Sequence, residues 1–135
     1  MTHISSIFII DLTFYQCELD DAKLLRLFVS LAGRPSIEIL NLNFARNYCT
    51  DESVKGLLSL LEEHLNRIVE LELQIYGNSI STHSMEDLVD QLARMSQLKK
   101  LTLSILEHEN EEFDESNRII LEKFNQLPVP EKKII

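Results

Sequence analysis

The sequence predicts an α/β chain built from about four strand–turn–helix repeats of 30–31 residues. Three observations predict it: apolar columns recurring at that interval, polar residues alternating between them, and an apolar stripe of helical spacing after each.

The strands come first. Ile7, Ile37, Ile68 and Leu98 are spaced 30, 31 and 30 residues apart. Three residues on stand Ile10, Leu40, Leu71 and Leu101, then Leu12, Leu42, Leu73 and Leu103, then Phe14, Phe44, Ile75 and Ile105. Between the last three columns every residue is polar: Asp11, Thr13, Asn41, Asn43, Glu72, Gln74, Thr102 and Ser104. In a strand successive side chains point to opposite faces, so this alternation describes half-buried strands. They are expected to begin near residues 8–10, 38–40, 69–71 and 99–101 and to run parallel.

A turn column follows at Cys17, Asn47, Asn78 and His108, with Leu19, Cys49, Ile80 and Asn110 two residues further on. Helices come next. Asp21, Asp51 and Thr82 share one column and are predicted N-caps, since a short side-chain oxygen can accept from the free N–H groups of a first turn. Behind them lie Leu24, Leu27, Phe28 and Leu31; Val54, Leu57, Leu58 and Leu61; and Met85, Leu88, Val89 and Leu92. Each set has i, i+3, i+4, i+7 spacing, one stripe per helix. The fourth stripe, Asn117, Ile120, Leu121 and Phe124, is displaced by two residues behind a longer acidic loop, Glu107 to Asn117. The repeats are thus 7–36, 37–67, 68–97 and 98–127 in a single domain, with 128–135 expected to be a C-terminal tail.

Strand, turn column and helix together resemble the leucine-rich-repeat pattern L-x-x-L-x-L-x-x-N-x-L, in its ribonuclease-inhibitor-like, helix-containing class. His108 and Asn110 depart from it. The resemblance implies a solenoid with parallel strands on a concave face and helices on a convex one. It also implies that Cys17, Asn47 and Asn78 form a ladder of side-chain bonds to the backbone of neighbouring turns.

Composition narrows the function classes. The 135 residues are 44% hydrophobic and 26% charged, with a formal net charge of −9. That sign opposes binding to nucleic-acid phosphates or anionic membranes and suits a protein partner with a basic patch. No run is long enough to span a membrane, and the apolar start from Ile4 to Ile10 lacks a basic leader. Two cysteines give no disulfide framework, which suits the cytoplasm or another reducing intracellular compartment.

No catalytic, cofactor or metal site is expected. His3, His64, His83 and His108 fall in different columns, without ligand spacing. His64 is expected to serve the end of the second helix. Cys17 and Cys49 are expected to be buried, reduced and structural. The acidic residues Glu107, Glu109, Glu111, Glu112, Asp114 and Glu115 lack the pattern of a calcium loop and read as a solvated loop.

The solvent side of the strands carries the candidate site. Its columns are Ile9, Ile39, Glu70, Lys100; Asp11, Asn41, Glu72, Thr102; Thr13, Asn43, Gln74, Ser104; and Tyr15, Ala45, Tyr76, Leu106. The candidate face therefore comprises Asp11, Thr13, Tyr15, Asn41, Asn43, Glu70, Glu72, Gln74, Tyr76, Thr102 and Ser104. Tyrosine is favoured at interface hot spots. The expected function is a non-catalytic protein-interaction module, an adaptor or scaffold. The alternatives are a structural subunit of a large multiprotein assembly, or a regulatory or substrate-recognition subunit of an enzyme, of the ubiquitin-ligase or GTPase-regulator type. The apolar residues near both termini, Ile7 to Ile10 and Ile134 to Ile135, suggest contacts through uncapped ends.

Overall fold

The computed structural model describes residues 8–34, 37–105 and 115–135. Among these, strands β1 (Phe8–Thr13), β2 (Ile37–Asn43), β3 (Glu70–Gln74), β4 (Lys100–Ser104) and β5 (Glu131–Ile134) alternate with helices α1 (Asp21–Ala32), α2 (Asp51–Glu63), α3 (Thr82–Ala93) and α4 (Glu115–Asn125). Ile7, His3, Leu106, His108, Asn110 and the acidic residues Glu107, Glu109, Glu111, Glu112 and Asp114 lie outside the described residues.

The five strands form one parallel sheet in chain order. Parallel neighbours need a long crossover, and each helix supplies one. The ladder pairs Ile10 with Leu40, Leu40 with Leu71, and Leu71 with Leu101; Leu12, Leu42, Leu73 and Leu103 pair likewise. The apolar columns are therefore rows running across the sheet. One irregularity interrupts them: the register shifts between Phe8 and Ile9.

These rows and the helical stripes close on each other. Leu40, Leu71, Leu73, Leu101, Leu24, Leu57, Leu61, Leu88 and Leu92 are all buried in one cluster. Burying each such side chain is worth about 1.5–3 kcal/mol. Successive helices pack on one another, α1 on α2, α2 on α3 and α3 on α4. Gly56 sets the first of these approaches: a Cβ there would overlap Leu25 Cδ2 and come within 3.1 Å of Phe28 Cδ2.

Three sequence expectations are corrected. The predicted tail contains β5, which pairs with β4, while Leu127 and Val129 are buried and Ile134 packs against the core. A four-residue strand with adjacent lysines carries too little alternation to be recognised by period. α4 begins at Glu115, so the acidic loop ends earlier than Asn117. The N-caps are Asp20, Thr50 and Ser81, one residue before the predicted column. Either neighbour has a capping side chain, so composition could not choose between them.

Candidate binding face

The two aspartates displaced from the capping role bind the next repeat instead. The Asp21 carboxylate accepts from Thr50 N–H at 2.8 Å and Thr50 Oγ1 at 2.6 Å, and also from Ser53 Oγ. Asp51 accepts from Ser81 N–H at 2.7 Å. Each aspartate thus holds the N-cap residue of the following helix. Burial alone would push the Asp21 carboxyl upward, but hydrogen bonds from Ser53 and Thr50 outweigh it and leave it below the ordinary range. Asp51 is lowered chiefly by the Ser81 backbone N–H.

The turn column forms a second set of links. Asn47 is buried and accepts from Cys17 N–H at 3.0 Å and Leu19 N–H at 2.8 Å. Its amide donates to Phe14 O at 2.7 Å and Phe44 O at 2.9 Å. Asn78 accepts from Cys49 N–H at 2.9 Å and donates to Phe44 O and Ile75 O at 2.9 and 3.0 Å. An amide with both donor and acceptor ends can satisfy two turns at once, as buried backbone requires. Cys17, at the β1 end of this column, is exposed rather than buried, and its thiol donates to Tyr15 O at 3.3 Å. Cys49 is buried, and burial pushes its thiol up.

Just before this column the chain turns sharply. Gln16, Arg46 and Gly77 occupy one column and all have positive φ, at 52°, 56° and 73°. Only the third is glycine, so the sequence signal for this turn was weak. The bend ends each strand and throws the preceding residue, Tyr15, Ala45 or Tyr76, to the outward rim.

The outward rows run Asp11, Asn41, Glu72, Thr102, Lys133 and Ile9, Ile39, Glu70, Lys100, Glu131. Neighbours along a row stand about 4.8 Å apart, the spacing of adjacent strands. A third row, Thr13, Asn43, Gln74 and Ser104, lies beside them. Depressions in this face are lined by Asp11, Asn41, Asn43, Glu72 and Gln74, and by Asn41, Glu70, Glu72, Lys100 and Thr102. Both share Asn41 and Glu72. In these rows Asp11, Glu70 and Glu72 lie on β1 and β3, whereas Lys100 and Lys133 enter beyond them, beside Glu131.

Several candidate residues are less available than their column implies. Ala45 and Ser104 are buried, small side chains between longer neighbours along their rows. Asn43 Oδ1 accepts from Ala45 N–H at 3.1 Å. Tyr76 lies under the Arg46 guanidinium, 5.9 Å from the ring centroid, whereas Tyr15 is exposed. The two tyrosines flank the buried Ala45, so the rim carries an aromatic residue on each side of a small one.

Of the described histidines, His83 is exposed, with Nε2 3.6 Å from Asp87. His64 is the C-cap of α2, but only its backbone serves that end, donating to Leu61 O and Glu62 O. Its ring is buried, and neither nitrogen has a hydrogen-bond partner among the described residues. No three His, Cys, Asp or Glu side chains among the described residues converge as metal ligands, and no described helix is long and apolar enough to cross a membrane.

Compared with models of known protein families, with curated proteins and with solved structures, the chain matches none of them.

Proposed function

We propose that this chain is a leucine-rich-repeat solenoid serving as a non-catalytic protein-interaction module, an adaptor or scaffold of an intracellular compartment. Its outward sheet face holds a partner that presents arginine or lysine. The observation that carries this reading is the row Asp11–Asn41–Glu72, with Glu70 beside it, on the side of the sheet opposite the apolar rows. Side chains held at strand spacing on a rigid sheet offer regular hydrogen-bonding positions, and Asn41, Thr13 and Gln74 supply neutral donors and acceptors between the acids. Electrostatics would govern association rate and salt sensitivity, while Tyr15 at the rim would supply the larger truncation cost.

The test is affinity capture with the whole chain, followed by binding measurements on the captured protein over a range of salt. Glu70→Lys combined with Glu72→Lys should slow association and flatten its salt dependence. Tyr15→Ala should weaken binding by at least about 1–2 kcal/mol, the usual hot-spot scale. Unchanged binding when Tyr15→Ala and Tyr76→Ala are combined would place the interface elsewhere.

A further inference from the structure

Among the described residues the two edges of the sheet, β1 and β5, differ in kind. At the β5 edge a lysine, Lys132, occupies the row of Ile10, Leu40, Leu71 and Leu101. Its ammonium donates to Asn125 O at 2.6 Å and Leu127 O at 2.8 Å, the last carbonyls around α4, and lies 5.7 Å from the Phe124 ring. An inward-pointing charge on a short edge strand is a device that blocks further strand pairing. β1 has none. It carries no Lys, Arg or Pro, and Ile9 and Tyr15 are 57% and 42% exposed. Its inward residues Ile10, Leu12 and Phe14 are only half-buried, whereas Leu40, Leu42 and Phe44 one strand along are 0–2% exposed.

The hydrogen-bonding direction of this edge is fixed. Phe14 N–H and Gln16 N–H bond toward β2, at Asn43 O and Ala45 O. By alternation the N–H and C=O groups of Ile9, Asp11 and Thr13 point away from the sheet.

We propose that β1 pairs antiparallel with β1 of a second copy of this chain, about a two-fold axis at Leu12. Residues whose outward groups face each other must both be odd-numbered. One such register sets Asp11 against Asp11, and like charges directly opposite destabilise a pair. The next sets Ile9 against Tyr15, Asp11 against Thr13, Ile10 against Phe14 and Leu12 against Leu12. Every one of these pairs is complementary, and all come from the same six-residue strand and its rim. Head-to-tail stacking is disfavoured, since it would bring Lys132 beside Ile10 and strip the ammonium from its carbonyls. A two-fold axis normal to the sheet puts both helical layers on one side and joins the two outward faces into one ten-stranded surface.

Sedimentation equilibrium of the 135-residue chain, from low to high micromolar, tests the pairing and its register together. The wild type should be a monomer–dimer system. Thr13→Asp, which sets a carboxylate against Asp11 of the mate at both symmetry-related positions, should raise the dimer Kd about tenfold or more. Thr13→Lys should lower it several-fold. Both variants should keep the wild-type circular dichroism spectrum, because Thr13 is exposed. Amide exchange of Ile9, Asp11 and Thr13 should slow as the dimer fills. A wild-type monomer at high micromolar, an open series of higher oligomers, or a dimer indifferent to both Thr13 variants would overturn the proposal.

Discussion

His64 is the residue at which burial and polarity conflict most directly. The residue is 3% exposed, with both ring nitrogens unpartnered among the described residues. Desolvating a polar group without a bond costs about 1–3 kcal/mol, and an apolar replacement of similar size removes that cost. His64→Leu should therefore raise stability by about 1–2 kcal/mol in urea denaturation. A loss of stability would show that the nitrogens are hydrogen-bonded in solution. The positive-φ column offers a paired test. Gln16 adopts φ 52°, which costs a non-glycine residue about 1 kcal/mol or more. Gln16→Gly should be neutral or stabilising by up to about 1 kcal/mol. Gly77→Ala should lose about 1–2 kcal/mol at minimum, because a Cβ there would also stand 3.1 Å from Arg46 N and Cα. The reverse order in thermal melts would mean the turns are not equivalent. Neither feature could be read from one sequence: a histidine at a helix end is ordinarily solvated, and two of the three turn residues are not glycine.

At the scale of elements, the repeats are joined by polar links as well as by packing. Asp21 and Asp51 tie each N-cap to the preceding helix, while Glu62 joins α2 to α3 through Gln91 at 2.8 Å and Arg94 at 3.1 Å. Lys123 joins α4 to α3 through Glu86 and Asp90, both at 3.0 Å. The exposed ion pairs contribute little; the aspartate bonds are charge-assisted, and those of Asp21 are also part-buried. Because both aspartates titrate below their ordinary range in the folded chain, the unfolded chain takes up protons first as pH falls. Their contribution is present above the ordinary carboxylate value near pH ~4 and is lost as pH falls through the lowered folded values. Asp21→Ala with Asp51→Ala should cost about 2–4 kcal/mol at pH 7. The variant should also show a shallower loss of stability than wild type below about pH 4. Parallel acid-denaturation curves would contradict this linkage. Helix positions themselves were legible, since three apolar stripes at helical spacing leave little choice. The one-residue shift of the caps was not, because Asp20 and Asp21, or Thr50 and Asp51, are both able to cap.

For the whole molecule, β5 decides how the sheet ends. Leu101 and Leu103 are sealed by its addition, and Lys132 satisfies the carbonyls around the end of α4. Removing residues 128–135 would delete the Val129 and Ile134 side chains and their core contacts, worth about 1.5–3 kcal/mol each. The truncated chain should lose at least about 3 kcal/mol in chemical denaturation and gain concentration-dependent association through the bared β4 edge. An unchanged midpoint would mean that β5 is not packed in solution.

The sequence by itself determined the rows of the first four strands, their register from Ile9 onward, and the helical stripes. A side chain's face follows directly from strand and helix periods, and the 30–31-residue interval repeats that constraint until only one alignment satisfies it. It also determined which residues of the first four strands share the outward face. Tertiary structure alone decided how open each of them is: that Ala45 and Ser104 are sunk between neighbours, that Arg46 covers Tyr76, and that Lys133 and Lys100 limit the acidic half. It alone turned Asp21 and Asp51 from caps into links, and Lys132 into a plug at the last core row. Those outcomes depend on which side chain stands across a 4.8 Å gap in the next strand, a distance set by folding and invisible along the chain.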